Sequence, residues 1–434
     1  MEVSHQQIRE IAPDEKSMVA ANKLLSSKLW SKSGLSEGAV WGICGGGRNY
    51  QVGVDFADMG FRCNCPSRKF PCKHVLALLL LLSSSPDIFS LESSPDWLDT
   101  WLEKRRLKRE QKATRESEPA KPVDKEAQAK RIKSRENNVS DGIEQLIIWL
   151  DDLIRSGIAA LETKPFSFWD TQARRLIDAQ AKGLANRVRN LAEIPGSSQD
   201  WSQRMLEELG SLRLLVQAYQ RQDTLSPNLQ AEVRQLVGWT VSQTELELNG
   251  DSVTDDWFIW GQRIEDDERF RLQRSWAIGL KSEREALILQ FAPGKQGFPE
   301  VILPGTLQQG AVNFYPGAVP QRAKFVNKEN SENTASEIPV QASISEFLET
   351  YASRLALNPW LASCGCLIEN VTLSIFQNQW WIRDKSGAAL PCRLKHPFEL
   401  LSITEGEHFQ VHAEWNGRFL TPMSYLYQGQ LNLC

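Results

Sequence analysis

The spacing of apolar residues changes period along the chain, and each period names a kind of element. Over 13–30, Val19, Leu24, Leu25 and Leu29 form one stripe behind Pro13, Asp14 and Glu15, which predicts a helix. Residues 39–44 and 50–56 read as two strands joined by the glycine-rich turn 45–49. The apolar run 75–82 predicts a second helix, stopped by the serines and Pro86 that follow. Trp97, Leu98, Trp101 and Leu102 repeat at four across 95–103, a short amphipathic helix.

From 140 to 240 the period is that of helices throughout. Ile143, Leu146, Ile147, Leu150, Ile154 and Ile158 recur at three and four. After Pro165, one helix carries Ala173, Leu176, Ile177, Gln180, Leu184, Val188 and Leu191, and Asp178, Gln180, Arg187 and Arg189 offer a polar surface site with no acid–base pairing assigned. Pro195 and Gly196 break it, and helices over 201–219 and 227–240 follow, which predicts a bundle of four or five helices. Beyond about 250 the period becomes two. Strands are predicted at 257–261, 270–279, 286–291, 370–376, 379–383 and 408–415, with a helix over 343–355 and a hairpin at Asn416 and Gly417.

These elements predict an α+β multidomain protein. Its parts are an N-terminal module (1–103), a charged basic linker (104–139), a central helical bundle (140–245) and a C-terminal, mainly antiparallel β domain (246–434). The linker stands out by charge. Residues 104–136 hold seven Lys and six Arg against six acids, or +7, so the rest of a chain whose net charge is −4 carries −11. Few large apolar residues and much charge predict an unstructured tether, whose flanks are able to extend the neighbouring helices. A chain that is acidic overall does not coat nucleic acid or membrane by bulk charge. The opening residues show no export signal, and 75–82 is far short of the roughly 20 residues that cross a bilayer. A cytoplasmic, reducing setting is therefore expected, where cysteines bind metal rather than form disulfides.

Candidate chemistry concentrates in one place. Cys63, Cys65, Cys72 and His74 fall as C-x-C-x6-C-x-H in a chain with only 8 Cys and 5 His. Three thiols and an imidazole are the donors of a closed tetrahedral zinc site, which leaves no position for water or substrate. On an extended segment Cys63 and Cys65 point to one side. Pro71 suits a first helical turn, so Cys72 and His74 are expected at a helix start, whose positive end favours thiolate. Arg62, Arg68, Lys69 and Lys73 surround this set; they offset the charge of a three-thiolate zinc centre and equally suit phosphate. A second set, Cys364, Cys366, Cys392 and His396, lacks a compact frame. The acids at 255–256 and 265–268 read as turn residues. With no phosphate loop, nucleophile elbow or dinucleotide fingerprint, no catalytic residue and no enzyme are expected.

The C-x-C-x6-C-x-H spacing resembles the SWIM zinc finger. In that resemblance Cys63, Cys65, Cys72 and His74 are the ligands of one structural Zn²⁺, and the strands at 39–44 and 50–56 belong to a ββα unit. The stretches 65–74, 168–180 and 315–317 extend the likeness to bacterial SWIM zinc finger proteins of this length. What it implies is an accessory binding protein, often encoded beside MoxR-type AAA+ ATPases and von Willebrand factor A proteins. The expected function is thus a zinc-binding, non-enzymatic protein–protein adaptor with such a partner. DNA binding by the finger and the basic linker is the alternative.

Overall fold

The computed structural model describes residues 5–36, 38–45, 49–57, 59–67, 69–91, 94–117, 125–266, 270–293, 297–330 and 338–434. The stripe over 13–30 does not form one helix. Instead His5–Ile11 (α1) and Glu15–Asn22 (α2) precede a strand, Trp30–Ser36 (β1). Asp14 caps α2 by accepting the Ser17 N–H at 2.8 Å. Pairing with the next strand overrides the weak helical spacing of 23–30, a case of tertiary context deciding a strand.

Ala39–Cys44 (β2), Tyr50–Asp55 (β3) and Gly60–Cys63 (β4) continue an antiparallel sheet in the order β4-β3-β2-β1, and Ser90–Leu91 (β5) later joins β1 in parallel. Lys73–Ser84 (α3) crosses this sheet and is covered on its other side by α1 and α2. Every residue from Val75 to Leu81 is buried. A helix that is apolar all round has to be enclosed, and each large side chain so buried contributes about 1.5–3 kcal/mol. On the opposite face of the sheet lies Asp96–Ser117 (α4). Gly53 makes room for it: a Cβ there would stand 3.0 Å from Leu98.

Helix α4 and the next, Lys125–Ser156 (α5), occupy most of the stretch that composition assigns to an unstructured tether. Lys, Arg, Glu, Gln and Ala are good helix formers, so a helix once anchored propagates through them. Trp97 and Leu98 anchor α4. Near the start of α5, Arg135 and Arg234 both lie over the Trp239 ring, each 4.1 Å from its centroid, and Arg135 donates to the Gly238 carbonyl.

Helices Phe166–Asp178 (α6), Lys182–Asn190 (α7), Trp201–Gln220 (α8) and Pro227–Val237 (α9) complete a bundle with α5. The single helix expected over 166–191 is two, because Gln180 takes a left-handed φ of 62°. Trp169 is fully buried at the bundle centre, edge-on to Trp149 at 5.9 Å. Trp360, from far along the chain, joins this core and donates its indole N–H to the Ser211 carbonyl.

After a short helix, Gln243–Asn249 (α10), the antiparallel region forms two sheets. The first contains Asp251–Asp266 (β6), Phe270–Gly279 (β7), Glu285–Pro293 (β8), Leu307–Phe314 (β9), Arg322–Phe325 (β10) and Glu329–Asn330 (β11). Then come Ile344–Leu357 (α11), Cys364–Phe376 (β12), Gln379–Asp384 (β13), Ala389–Cys392 (β14), Pro397–Thr404 (α12), Phe409–Trp415 (β15), Leu420–Tyr427 (β16) and Gln430–Leu433 (β17). Each sheet closes on itself. In the first, β10 pairs in parallel with β8 and antiparallel with β9. In the second, β14 pairs in parallel with β16, which pairs antiparallel with β15. Both are five-stranded barrels of one pairing order, first–second–third–fifth–fourth and back to the first. Trp257, Ile259, Val312 and Phe314 fill one interior; Ile382, Leu390, Val411 and Ala413 fill the other.

Candidate metal centre

Cys63 ends β4, whose register is set by Val52 opposite it, and Cys65 follows after one residue. Cys72 caps α3 with extended backbone, and His74 is the second helical residue. Pro71 therefore stands just outside the helix rather than in its first turn. The four ligand atoms lie within 4.8 Å of one another. His74 Nδ1 is 3.7 Å from Cys63 Sγ and 3.9 Å from Cys72 Sγ. The edges of a tetrahedron around zinc with ordinary Zn–S and Zn–N bonds are about 3.5–3.8 Å, so the set has the size of one ion.

The charge balance of the thiols points the same way. A hydrogen bond with Cys63 draws the Cys72 thiol down to about 4 against the cost of its burial, with His74 and the Val75 N–H assisting. That same contact, together with burial, pushes the Cys63 thiol well up, and burial raises Cys65. One thiolate is accommodated without a cation; three need one. Backbone N–H groups of Cys65, Ser67 and Val75 are already directed at the sulfurs of Cys63, Cys65 and Cys72. The Tyr50 ring packs on His74 with centroids 4.6 Å apart and helps to fix the imidazole. Nothing in the local sequence pattern distinguishes Tyr50 from an ordinary strand residue. Cys44 is buried nearby but is not part of the set.

The family model described as the SWIM zinc finger matches residues 50–83, which run from β3 to the end of α3. The chain carries a SWIM zinc finger. A second model, the SWIM-associated four-helix bundle domain, matches 134–237, from within α5 to the end of α9. No curated protein and no solved structure matches the chain. The SWIM ligands Cys63, Cys65, Cys72 and His74 are positioned to bind one zinc ion. All four coordination positions are then taken by protein, so the ion's role is to hold β4, the 64–71 loop and α3 together.

The other candidate residues fall out differently. Arg62 donates to the Trp97 carbonyl at 3.1 Å and lies over that ring. Lys69 pairs with Asp14, tying the finger loop to the cap of α2 and holding the Asp14 carboxyl down near 2. Lys73 is exposed, and Arg68 lies outside the described residues. Among the described residues, Cys364, Cys366, Cys392 and His396 do not gather into a metal-sized group. The three cysteines are buried in the second barrel, and His396 is exposed before α12.

The acids at 255–256 and 265–266 lie within β6 rather than in turns, because the strand pairs with β9 and β7 along its whole length. Asp255 accepts the N–H groups of Asp256, Lys281 and Ser282; burial pushes its carboxyl up, but these bonds outweigh it and hold it low. Glu265 pairs with Arg263, and residues 267–268 lie outside the described residues. Of the polar positions 178, 180, 187 and 189, only Arg189 makes a tight ion pair, with Asp170 at 2.9 Å. A serine–histidine contact that sequence spacing did not suggest, His412 Nδ1 to Ser424 Oγ at 2.8 Å, is wholly buried and out of substrate's reach.

Proposed function

We propose that this SWIM-finger protein is a non-enzymatic, protein–protein adaptor whose zinc ion shapes a recognition surface. The observation that carries the reading is a cleft of about 630 Å³ between the finger and the first barrel. Phe70 and Pro71, from the loop between Cys65 and Cys72, form its finger wall together with Phe61; Ile264, Phe298 and Val326 line the opposite side. Phe70 is 41% and Val326 50% exposed. Apolar clefts of this size with a few polar groups are where proteins receive ligands or the anchoring side chains of partners. A closed zinc site adds no chemistry of its own, but it fixes the Phe70 wall. The resemblance supplies the partner to test first, a MoxR-type AAA+ ATPase or a von Willebrand factor A protein, in a cytoplasmic setting.

The test is capture of such an ATPase by the intact protein, by Cys72→Ser and by Val326→Glu, with bound zinc measured in each. Capture by the intact protein alone, with one zinc retained in Val326→Glu, is the expected result. No capture by the intact protein removes the ATPase from the proposal; full capture by Val326→Glu removes the cleft. The alternative, DNA contact by finger and basic segment, has Lys130, Arg131 and Lys133 exposed on α5 in its favour. It requires a salt dependence that Lys130→Glu and Lys133→Glu flatten.

A further inference from the structure

We infer that the outward face of the second barrel binds single-stranded nucleic acid, a function separate from the protein contact proposed for the finger. A meander of three strands, a parallel third–fifth pair, antiparallel fifth–fourth and fourth–first pairs, and a helix (α12) between the third and fourth make up an OB-type barrel. The ligand face of such barrels is the outer side of strands two and three with the loops beside it. A fold alone assigns no function, so the side chains on that face decide.

Inward Leu373, Ile382 and Leu390 belong to the barrel core, and strand alternation turns their neighbours outward. Cross-strand register places Ser374, Trp381 and Pro391 in one outward row, with Arg383 in the row beside it, about 7 Å away by strand geometry. Arg383 and Arg393 are exposed. Arg393 extends over the Phe419 ring at 4.1 Å from its centroid, on the loop between the fourth and fifth strands. Phe376, at the end of the first strand, is 62% exposed. Trp381 is half-buried, and its indole N–H has no acceptor among the described residues. No carboxylate occupies an outward position of β13, β14 or the adjoining half of β12, 372–376, in a chain of net charge −4.

Aromatic faces beside cations are what a base and its phosphate need, and every base offers a ring for stacking. A duplex keeps its base faces covered, so the aromatics favour a single strand. Cations favour a polyanion over the neutral sugars that such barrels also bind. On the first barrel the same face is open only at one end, where Phe270 and Phe291 are exposed, and closed at the other. Its outward Trp260, Trp276 and Leu287 pack against Leu367 and Met423 of the second.

The experiment is fluorescence anisotropy of a labelled oligodeoxythymidylate, about 20 nucleotides long to cover one barrel face, with the full zinc-loaded chain across a salt series. Trp381→Ala and Arg383→Glu are each expected to weaken binding about tenfold or more while zinc content and thermal unfolding stay unchanged. Trp381→Phe, which keeps a ring, should restore most of it. The salt slope should fall by nearly one in Arg383→Glu. Equal affinity in Trp381→Ala, preference for duplex of the same length, loss confined to Lys73 or Lys130 variants, or no binding at all would each overturn the inference. None of these results bears on capture of a protein partner through the finger cleft, so the two readings fail separately.

Discussion

The two barrels share one pairing order and use their outer faces in opposite ways. Each carries a tryptophan pointing outward from the second strand of its meander, Trp276 on β7 and Trp381 on β13. Trp276 is fully buried, stacked on Trp260 at 5.6 Å, and donates its N–H to Glu414 Oε2 at 2.9 Å. Trp381 is half-buried and makes no such bond. The difference lies in what surrounds them. Around Trp276 stand apolar residues and a carboxylate supplied by the other barrel; Trp381 has Ser374 and Pro391 beside it in its row and the exposed Arg383 in the next. One face has become an internal joint and the other has remained a surface. The same fold thus supplies rigidity in one copy and an open platform in the next.

The largest effect that would break this comparison is at the joint. Trp276→Ala removes a large buried ring and leaves Glu414 without a donor, at a cost of about 3–5 kcal/mol. Denaturant unfolding is expected to become biphasic as the barrels uncouple. A single transition with an unchanged midpoint would mean that the joint does not hold the barrels together. Next comes Glu414→Gln. Glu414 is buried; that burial pushes its carboxyl up, but the charges of Arg274 and Arg263 and the Trp276 bond outweigh it and keep it ionised. Removing the charge leaves Arg274 facing a neutral amide, an expected loss of about 1.5–3 kcal/mol by the same denaturant assay.

How much of this was legible in the sequence follows from where the determinants sit. Strands β6, β7 and β8 show in the sequence because 257–260, 276–278 and 286–289 are short apolar runs, rich in aromatic and β-branched residues and bounded by polar ones. The finger shows because its donors are rare residue types at fixed spacing. Barrel closure does not, since it rests on short strands such as β10 and β14, and on one parallel contact between Cys392 and Leu420. Strand β1, Trp-Ser-Lys-Ser-Gly-Leu-Ser, has too few apolar residues to declare itself and forms because β2 is beside it. At the metal site the four ligands were readable. The Tyr50 ring, the Lys69–Asp14 tie and the Phe70 wall were not, because each depends on elements that meet only after folding.

The joint should also register pH. His412, in β15, accepts from the Gln410 amide at Nε2 and donates from Nδ1 to Ser424, whose hydroxyl donates to the Trp260 carbonyl of the first barrel. Phe258 and Trp260 flank the ring, and burial alone pushes its pKa down to about 3. Above the ordinary value of 6.5 both folded and unfolded chains keep it neutral. Between 6.5 and 3 the unfolded chain takes a proton that the fold refuses, so stability falls as pH falls, approaching about tenfold in the folding equilibrium per pH unit. The urea midpoint compared between pH 6.5 and 5 should drop less in His412→Gln than in the intact protein. Equal drops would show that other groups carry the acid sensitivity.

The smallest effect is expected inside the second barrel, where a C-x-C pair repeats the spelling of the finger without its chemistry. Cys364 and Cys366 sit two apart on β12, where alternation turns both to one side, and Cys63 and Cys65 have the same spacing, with Cys63 ending β4 and Cys65 just past it. Past Cys65 the chain loops within seven residues to a helix start, which delivers Cys72 and His74 to the same point. Past Cys366 it runs on through β13 before reaching Cys392, and His396 stays at the surface. Burial pushes the Cys366 thiol well above its ordinary value and Cys392 up to about 12, so both behave as small apolar side chains. Cys366→Ala should therefore cost only about 1 kcal/mol and leave bound zinc at one ion per chain. A loss of zinc in that variant, with the finger intact, would give the second set a metal after all. The contrast would then lie in the ion each frame selects, since thiolates held in a barrel core and thiolates at a helix end differ in charge and in access to water.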